Sequence, residues 1–117
     1  MPNTIYHNDR CGKSRGALEL LRERGVEAEV VDYLATPPTI ADLERLSGQL
    51  GLGALAMMRT GDTPFAELGL QVTDQRTDRE WFALVVQHPI LLQRPIVVVG
   101  DRAVIARPSE LVLQLLV

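Results

Sequence analysis

The chain has 117 residues, 46% of them apolar and 23% charged, and a formal charge of −3. That is enough for one compact domain that buries a core unaided, and it excludes a disordered chain. The acidic balance argues against a phosphate-neutralising surface, so no nucleic-acid partner is expected and any anion site must be built locally from a few arginines.

No apolar stretch approaches the ~20 residues of a membrane span, and the opening MPNTIYHNDR lacks the apolar centre of a secretory leader. The single cysteine, Cys11, has no internal disulfide partner. A reducing cytoplasm is the expected compartment, with no membrane association.

Residues 3–7 carry Ile5 and Tyr6 and predict a short strand, closed by the polar turn Asn8-Asp9-Arg10. After Cys11 and Gly12, good helix formers over 14–24, with Leu18 and Leu21 three apart, predict a helix. Gly25 is placed to end it in a left-handed conformation. A second strand is expected over 26–34, and a β-α-β opening makes the two strands parallel.

Pro37-Pro38 is a rigid stop. Thr39 with Asp42 three residues on predicts a capped helix over 40–50, broken by Gly51 and Gly53 and resumed over 54–58, so that Arg59 ends it. A loop over 60–64 and a short turn at 65–68 precede Gly69. Thr77 with Glu80 opens a helix to about Gln87 whose apolar side is Trp81, Leu84 and Val85, and His88-Pro89 ends it. A buried strand over 95–99, the turn pair Gly100-Asp101 and a returning strand over 103–106 form a hairpin. Pro108 then suits the first turn of a C-terminal helix over 109–116. The order predicts an α/β, thioredoxin-like fold: one domain over 1–117, with a helical insertion at about 37–92.

Cys11 falls between the first strand and the first helix, where unpaired helix N–H groups and the positive end of the dipole favour thiolate over thiol. The same N–H groups can cradle an oxyanion. Ser14 stands where a C-x-x-C motif has its second sulfur, so an outside thiol such as glutathione or glutaredoxin must resolve any oxidised state. Pro95 opens a strand near the sheet centre, where a strand start, often with a cis bond, is the physical solution. In thioredoxin-like folds a cis proline faces the helix-cap thiol, so that fold implies Arg94 close to Cys11.

Arg107 ends the returning strand, and three arginines from separate elements, Arg59, Arg94 and Arg107, could fork around one tetrahedral anion. Each feature also has a plainer reading. His7 could satisfy backbone groups, Ser14 could cap the helix, and Arg10, Arg15 and the trio could be solvated surface charges. The two histidines and one cysteine have no metal-ligand spacing.

An ordered series of residues then resembles one family nearly end to end. It comprises His7-Asn8, Cys11-Gly12, Ser14-Arg15, Tyr33-Leu34, Pro37-Pro38, Arg59, Glu67-Leu68-Gly69-Leu70, Gln87-His88-Pro89-Ile90-Leu91, Arg94-Pro95-Ile96-Val97-Val98 and Arg107-Pro108-Ser109-Glu110. The chain is similar to the glutaredoxin-linked arsenate reductases (ArsC) of the thioredoxin superfamily. The resemblance implies a Cys11 thiolate that attacks arsenate, assisted by His7, with Arg59, Arg94 and Arg107 holding the oxyanion and Asn8, Ser14, Arg15 and Pro95 in support.

It further implies glutathione as co-substrate, glutaredoxin as partner, no bound cofactor and a monomer. Asp9-Arg10 before the cysteine is similar instead to an arsenate reductase-like branch. Two alternatives therefore stay open: a monothiol oxidoreductase acting on another substrate, and a non-enzymatic Spx-like regulator. Ser14 in place of a second cysteine argues against the regulator.

Overall fold

The structure, a computed structural model, describes residues 3–8 and 10–116. Asp9, expected in the turn before the cysteine, lies outside the described residues. The chain forms two compact units, one from residues 3–36 with 94–116 and the other Pro37–Gln93. The segment expected as an insertion falls within the second unit.

The first unit is built on a four-stranded sheet. Strand β1 (Thr4–His7) pairs in parallel with β2 (Glu29–Asp32) and antiparallel with β3 (Ile96–Val99), and β3 pairs antiparallel with β4 (Arg102–Ile105). The order is β2-β1-β3-β4, so the strand opened by Pro95 is internal. The Arg94–Pro95 and Arg107–Pro108 bonds are both cis. Helix α1 (Gly12–Glu23) connects the parallel pair. Ile5 and Val97, directly paired in register, share the face that α1 covers. There they cluster with Ala17, Leu21, Ala106, Val112 and Leu115. Burial of such side chains contributes roughly 1.5–3 kcal/mol each.

Gly25 adopts φ +69 just past the helix, and Val26 N–H reaches back to the Leu21 carbonyl at 2.9 Å, so the expected left-handed stop is present. Strand β2 is shorter than the expected 26–34. Val26 and Ala28 pack toward the core from a loop, and Leu34 is drawn into a turn in which its N–H donates to Asp32 Oδ1 at 3.1 Å. The Gly100-Asp101 hairpin turn has its positive φ at Gly100 alone, the pattern of a II′ turn. The expected C-terminal helix, Ser109–Leu116, is wound as a 3-10 helix. Its three-residue repeat keeps Val112 and Leu115 on one stripe against the core.

In the second unit, helices α2 (Ile40–Leu50) and α4 (Asp78–Gln87) pack together, and each opens with a complete reciprocal capping box, Thr39 with Asp42 and Thr77 with Glu80. Between them lie a 3-10 turn (Leu55–Met57) and the short helix α3 (Thr63–Glu67), and a further 3-10 turn (Pro89–Leu91) follows α4. The expected helix over 54–58 is therefore only one turn. Met58 is extended and bridges Leu92, so Arg59 follows a strand-like residue, not a helix end. On α4 the buried residues are Trp81, Phe82 and Val85, with Leu84 only half-buried. Phe65 stacks on Trp81 at 5.9 Å between centroids. Among the described residues no helix is long and apolar enough to cross a membrane.

Candidate active site

Cys11 is the N-cap residue of α1, extended at φ −98 and ψ 120, with its thiol partly exposed. The preceding loop is drawn tight: Cys11 N–H donates to the Asn8 carbonyl at 2.9 Å, and Arg10 N–H to Asn8 Oδ1 at 3.0 Å. Asn8 thus shapes the loop. The first turn of α1 contains no acidic residue, so nothing there offsets the positive helix end.

The consequence is a thiol pulled down from 9.0 to about 7. Partial burial works in the opposite direction. It is outweighed by the backbone N–H groups of Ser14 and Lys13, then by the Ser14 hydroxyl and the Arg94 side chain. At neutral pH much of the sulfur is therefore thiolate, the nucleophilic form.

Ser14 is the third residue of the helix rather than its cap, and it is fully buried. Its oxygen also accepts from Asn8 N–H at 3.4 Å, so one hydroxyl joins the loop to the thiol. Arg107 Nη1 lies 3.9 Å from Cys11 Sγ and 3.1 Å from the Arg94 carbonyl oxygen, to which it donates. Arg107 and Arg94 therefore reach the sulfur from the ends of the hairpin. Pro95 is buried, and its carbonyl accepts from Ala106 N–H at 3.0 Å, which fixes the hairpin end carrying both arginines.

His7 is buried at the end of β1, opposite Asp32 in the parallel ladder. Arg15 is exposed, its guanidinium running back along Gly12, and Arg10 is exposed. Arg59 belongs to the second unit, where its Nε is hydrogen-bonded to Asp62 Oδ2.

The Lys13 backbone N–H that helps hold the thiolate is one of the helix-start donors expected from the sequence. One contact went unread: Ser109 Oγ donates to the Lys13 carbonyl at 2.8 Å, tying the C-terminal segment to the first turn of α1, and it spans too much sequence to be read from spacing. Among the described residues no group of three or more His, Cys, Asp or Glu is placed to hold a metal ion. The assembled chemistry is a partly ionised thiol in a ring of helix N–H groups and guanidinium donors. It suits attack on a small oxyanion whose negative charge those donors can share.

Comparison with known proteins agrees. The ArsC family profile matches residues 6–115. An arsenate reductase of Escherichia coli K12 is 44% identical over 113 residues, covering 97% of this chain and 79% of that protein. An arsenate reductase of Neisseria meningitidis serogroup B is 48% identical over 107 residues, 91% of each. The solved arsenate reductase of Vibrio cholerae superposes with a TM-score of 0.91 at 43% identity, over 98% of both chains.

Proposed function

The chain belongs to the ArsC family, and from that premise we propose that it is an arsenate reductase working through Cys11. The observation that carries the reading is a thiol of pKa about 7 at a helix N-terminus with Arg107 on its sulfur. The thiolate attacks arsenic(V), an As–S bond forms, and one arsenate oxygen leaves as water after protonation. Arg94 and Arg107 take up the charge on the remaining oxygens. Arg59 is assigned to the same oxyanion, and His7 to assisting ionisation of the thiol, on the family resemblance. Asn8, Ser14, Arg15 and Pro95 support the loop and the thiolate.

Cys11 has no second cysteine to resolve the adduct. Glutathione attacks the arsenic, a second oxygen leaves as water after protonation, and a glutaredoxin thiol then attacks the glutathione sulfur. The As–S bond to glutathione breaks with its electron pair left on arsenic, which becomes arsenic(III) still bound to Cys11. Water then hydrolyses the Cys11–As bond, so the products are arsenite, a mixed disulfide and free Cys11, and two thiols supply the two electrons. A glutathione-rich cytoplasm is the matching compartment.

The test is arsenate-dependent NADPH oxidation coupled through glutathione, glutaredoxin and glutathione reductase. Turnover by the wild type and none by Cys11→Ser is expected, because a hydroxyl is a far poorer nucleophile at neutral pH. No turnover by the wild type with working coupling enzymes overturns the substrate assignment. It would favour a monothiol oxidoreductase acting on another substrate, the branch to which Asp9-Arg10 points.

A further inference from the structure

Asp62 occupies the N-cap of α3, where an aspartate ordinarily accepts a hydrogen bond from the first helical turn. Here its side chain makes no capping bond. The carboxylate is turned instead onto Arg59 Nε, three residues back, while the Asp62 N–H donates to the Arg59 carbonyl at 3.3 Å. A local partner has been given up for an arginine.

The backbone beneath that arginine is held by three further bonds within the same unit. Arg59 N–H donates to the Leu91 carbonyl at 2.7 Å, Gln93 N–H to the Met57 carbonyl at 2.8 Å, and Gln93 Nε2 to the Met58 carbonyl at 3.1 Å. The arginine side chain is 14% exposed and its aspartate 44%. With its carboxylate this open to water, the pair contributes little to stability. Its consequence is geometric: with Nε occupied, the guanidinium plane is restrained, and the fork left for an anion is the Nη pair.

We propose that Asp62 is a positioning residue that holds Arg59 by Nε and so orients the Nη pair for the substrate oxyanion. The inference rests on the arsenate reductase reading and on the role that reading gives Arg59. A long arginine held in its working orientation loses less freedom when substrate arrives, so the effect belongs in substrate capture.

The experiment measures kcat and KM for arsenate in the coupled assay for wild type, Arg59→Ala, Asp62→Ala, Asp62→Asn and the Arg59→Ala/Asp62→Ala double variant. It adds the pH profile of Cys11 alkylation for each. Asp62→Ala is expected to lower kcat/KM about tenfold, mostly through KM, as for a lost hydrogen bond to a charged group. Asp62→Asn, which keeps an oxygen acceptor for Nε, is expected to recover part of that loss. Thiol titration is expected to be unchanged, and the double variant to match Arg59→Ala alone.

An impaired Arg59→Ala beside a fully active Asp62→Ala overturns this inference and leaves the arsenate reductase reading intact. So do losses that simply multiply in the double variant. Should Asp62→Ala fail to fold, Asp62→Gly, which is tolerated at an N-cap and also lacks the acceptor, decides, and wild-type kinetics with a wild-type KM in that variant beside an impaired Arg59→Ala overturn the inference. A wild type with no arsenate turnover removes both.

Discussion

Replacing Ser14 with alanine isolates one of the forces that ionise Cys11. With the thiol at about 7, about half the sulfur is thiolate at pH 7, against about one per cent for an unperturbed thiol at 9.0. The substitution removes the hydroxyl donor and leaves the Ser14 and Lys13 backbone N–H donors in place. A hydrogen bond to a charged group is worth about 1.5–3 kcal/mol, and partial solvent access puts this one at the low end, so the thiol should rise by about one pH unit.

The thiolate fraction at pH 7 then falls to about one-tenth. A more basic thiolate is also a better nucleophile, about 2.5-fold per unit for a Brønsted slope near 0.4. The net loss of iodoacetamide alkylation rate at pH 7 is therefore only about twofold, while above about pH 9.5 the variant reacts about 2.5-fold faster. The two pH–rate profiles should cross a little below about pH 8. The assay is that full profile, with circular dichroism to confirm folding. An apparent pKa within about 0.3 of wild type, or profiles that never cross, would refute the assignment of the Ser14 hydroxyl to the thiolate.

Arg107→Ala removes both the contact to Cys11 Sγ and the bond to the Arg94 carbonyl. Steady-state kinetics should show kcat/KM for arsenate lower by about 10- to 100-fold, and a change within about twofold would take Arg107 out of the site. The lowered thiol also links stability to pH. Its folded-state pKa lies below 9.0, so the added stability is complete above pH 9 and is lost as pH falls through about 7. Urea unfolding of wild type against Cys11→Ser should diverge in the wild type's favour by about 1–2 kcal/mol between those limits, after allowance for solvent screening, and a flat difference would contradict it. Thr77→Ala removes one arm of the α4 capping box, the Oγ1 that accepts from Glu80 N–H at 3.2 Å, and leaves the backbone arm, in which the N–H of residue 77 donates to Glu80 at 3.0 Å. It should cost about 1 kcal/mol in urea unfolding, and an unchanged midpoint would show the cap to be idle.

Much of the fold could be read because its signals are local. The capping boxes at Thr39 and Thr77, the stop at Gly25 and the Gly100-Asp101 turn each depend on residues within five positions of one another. Errors appear where tertiary packing overrides the local pattern. Leu84 fits the helical stripe expected on α4, yet Phe82 is the more deeply buried residue. Residues 54–58 are good helix formers, yet the bridge from Met58 to Leu92 leaves only one turn. Over 109–116 the spacing of Val112 and Leu115, which meet the core, fits a helix of either winding, and the observed one is 3-10.

By itself the sequence determined where the nucleophile stands. A lone cysteine at a strand-to-helix junction has its thiolate favoured by the backbone of its own helix, and that physics needs only residues 8–14. The tertiary structure alone decided which distant groups share the sulfur. Arg94 and Arg107 reach it because the hairpin carrying them runs beside β1, and their spacing from Cys11 along the chain holds no trace of that approach. Through-space electrostatics follows distance between atoms, and only folding sets that distance.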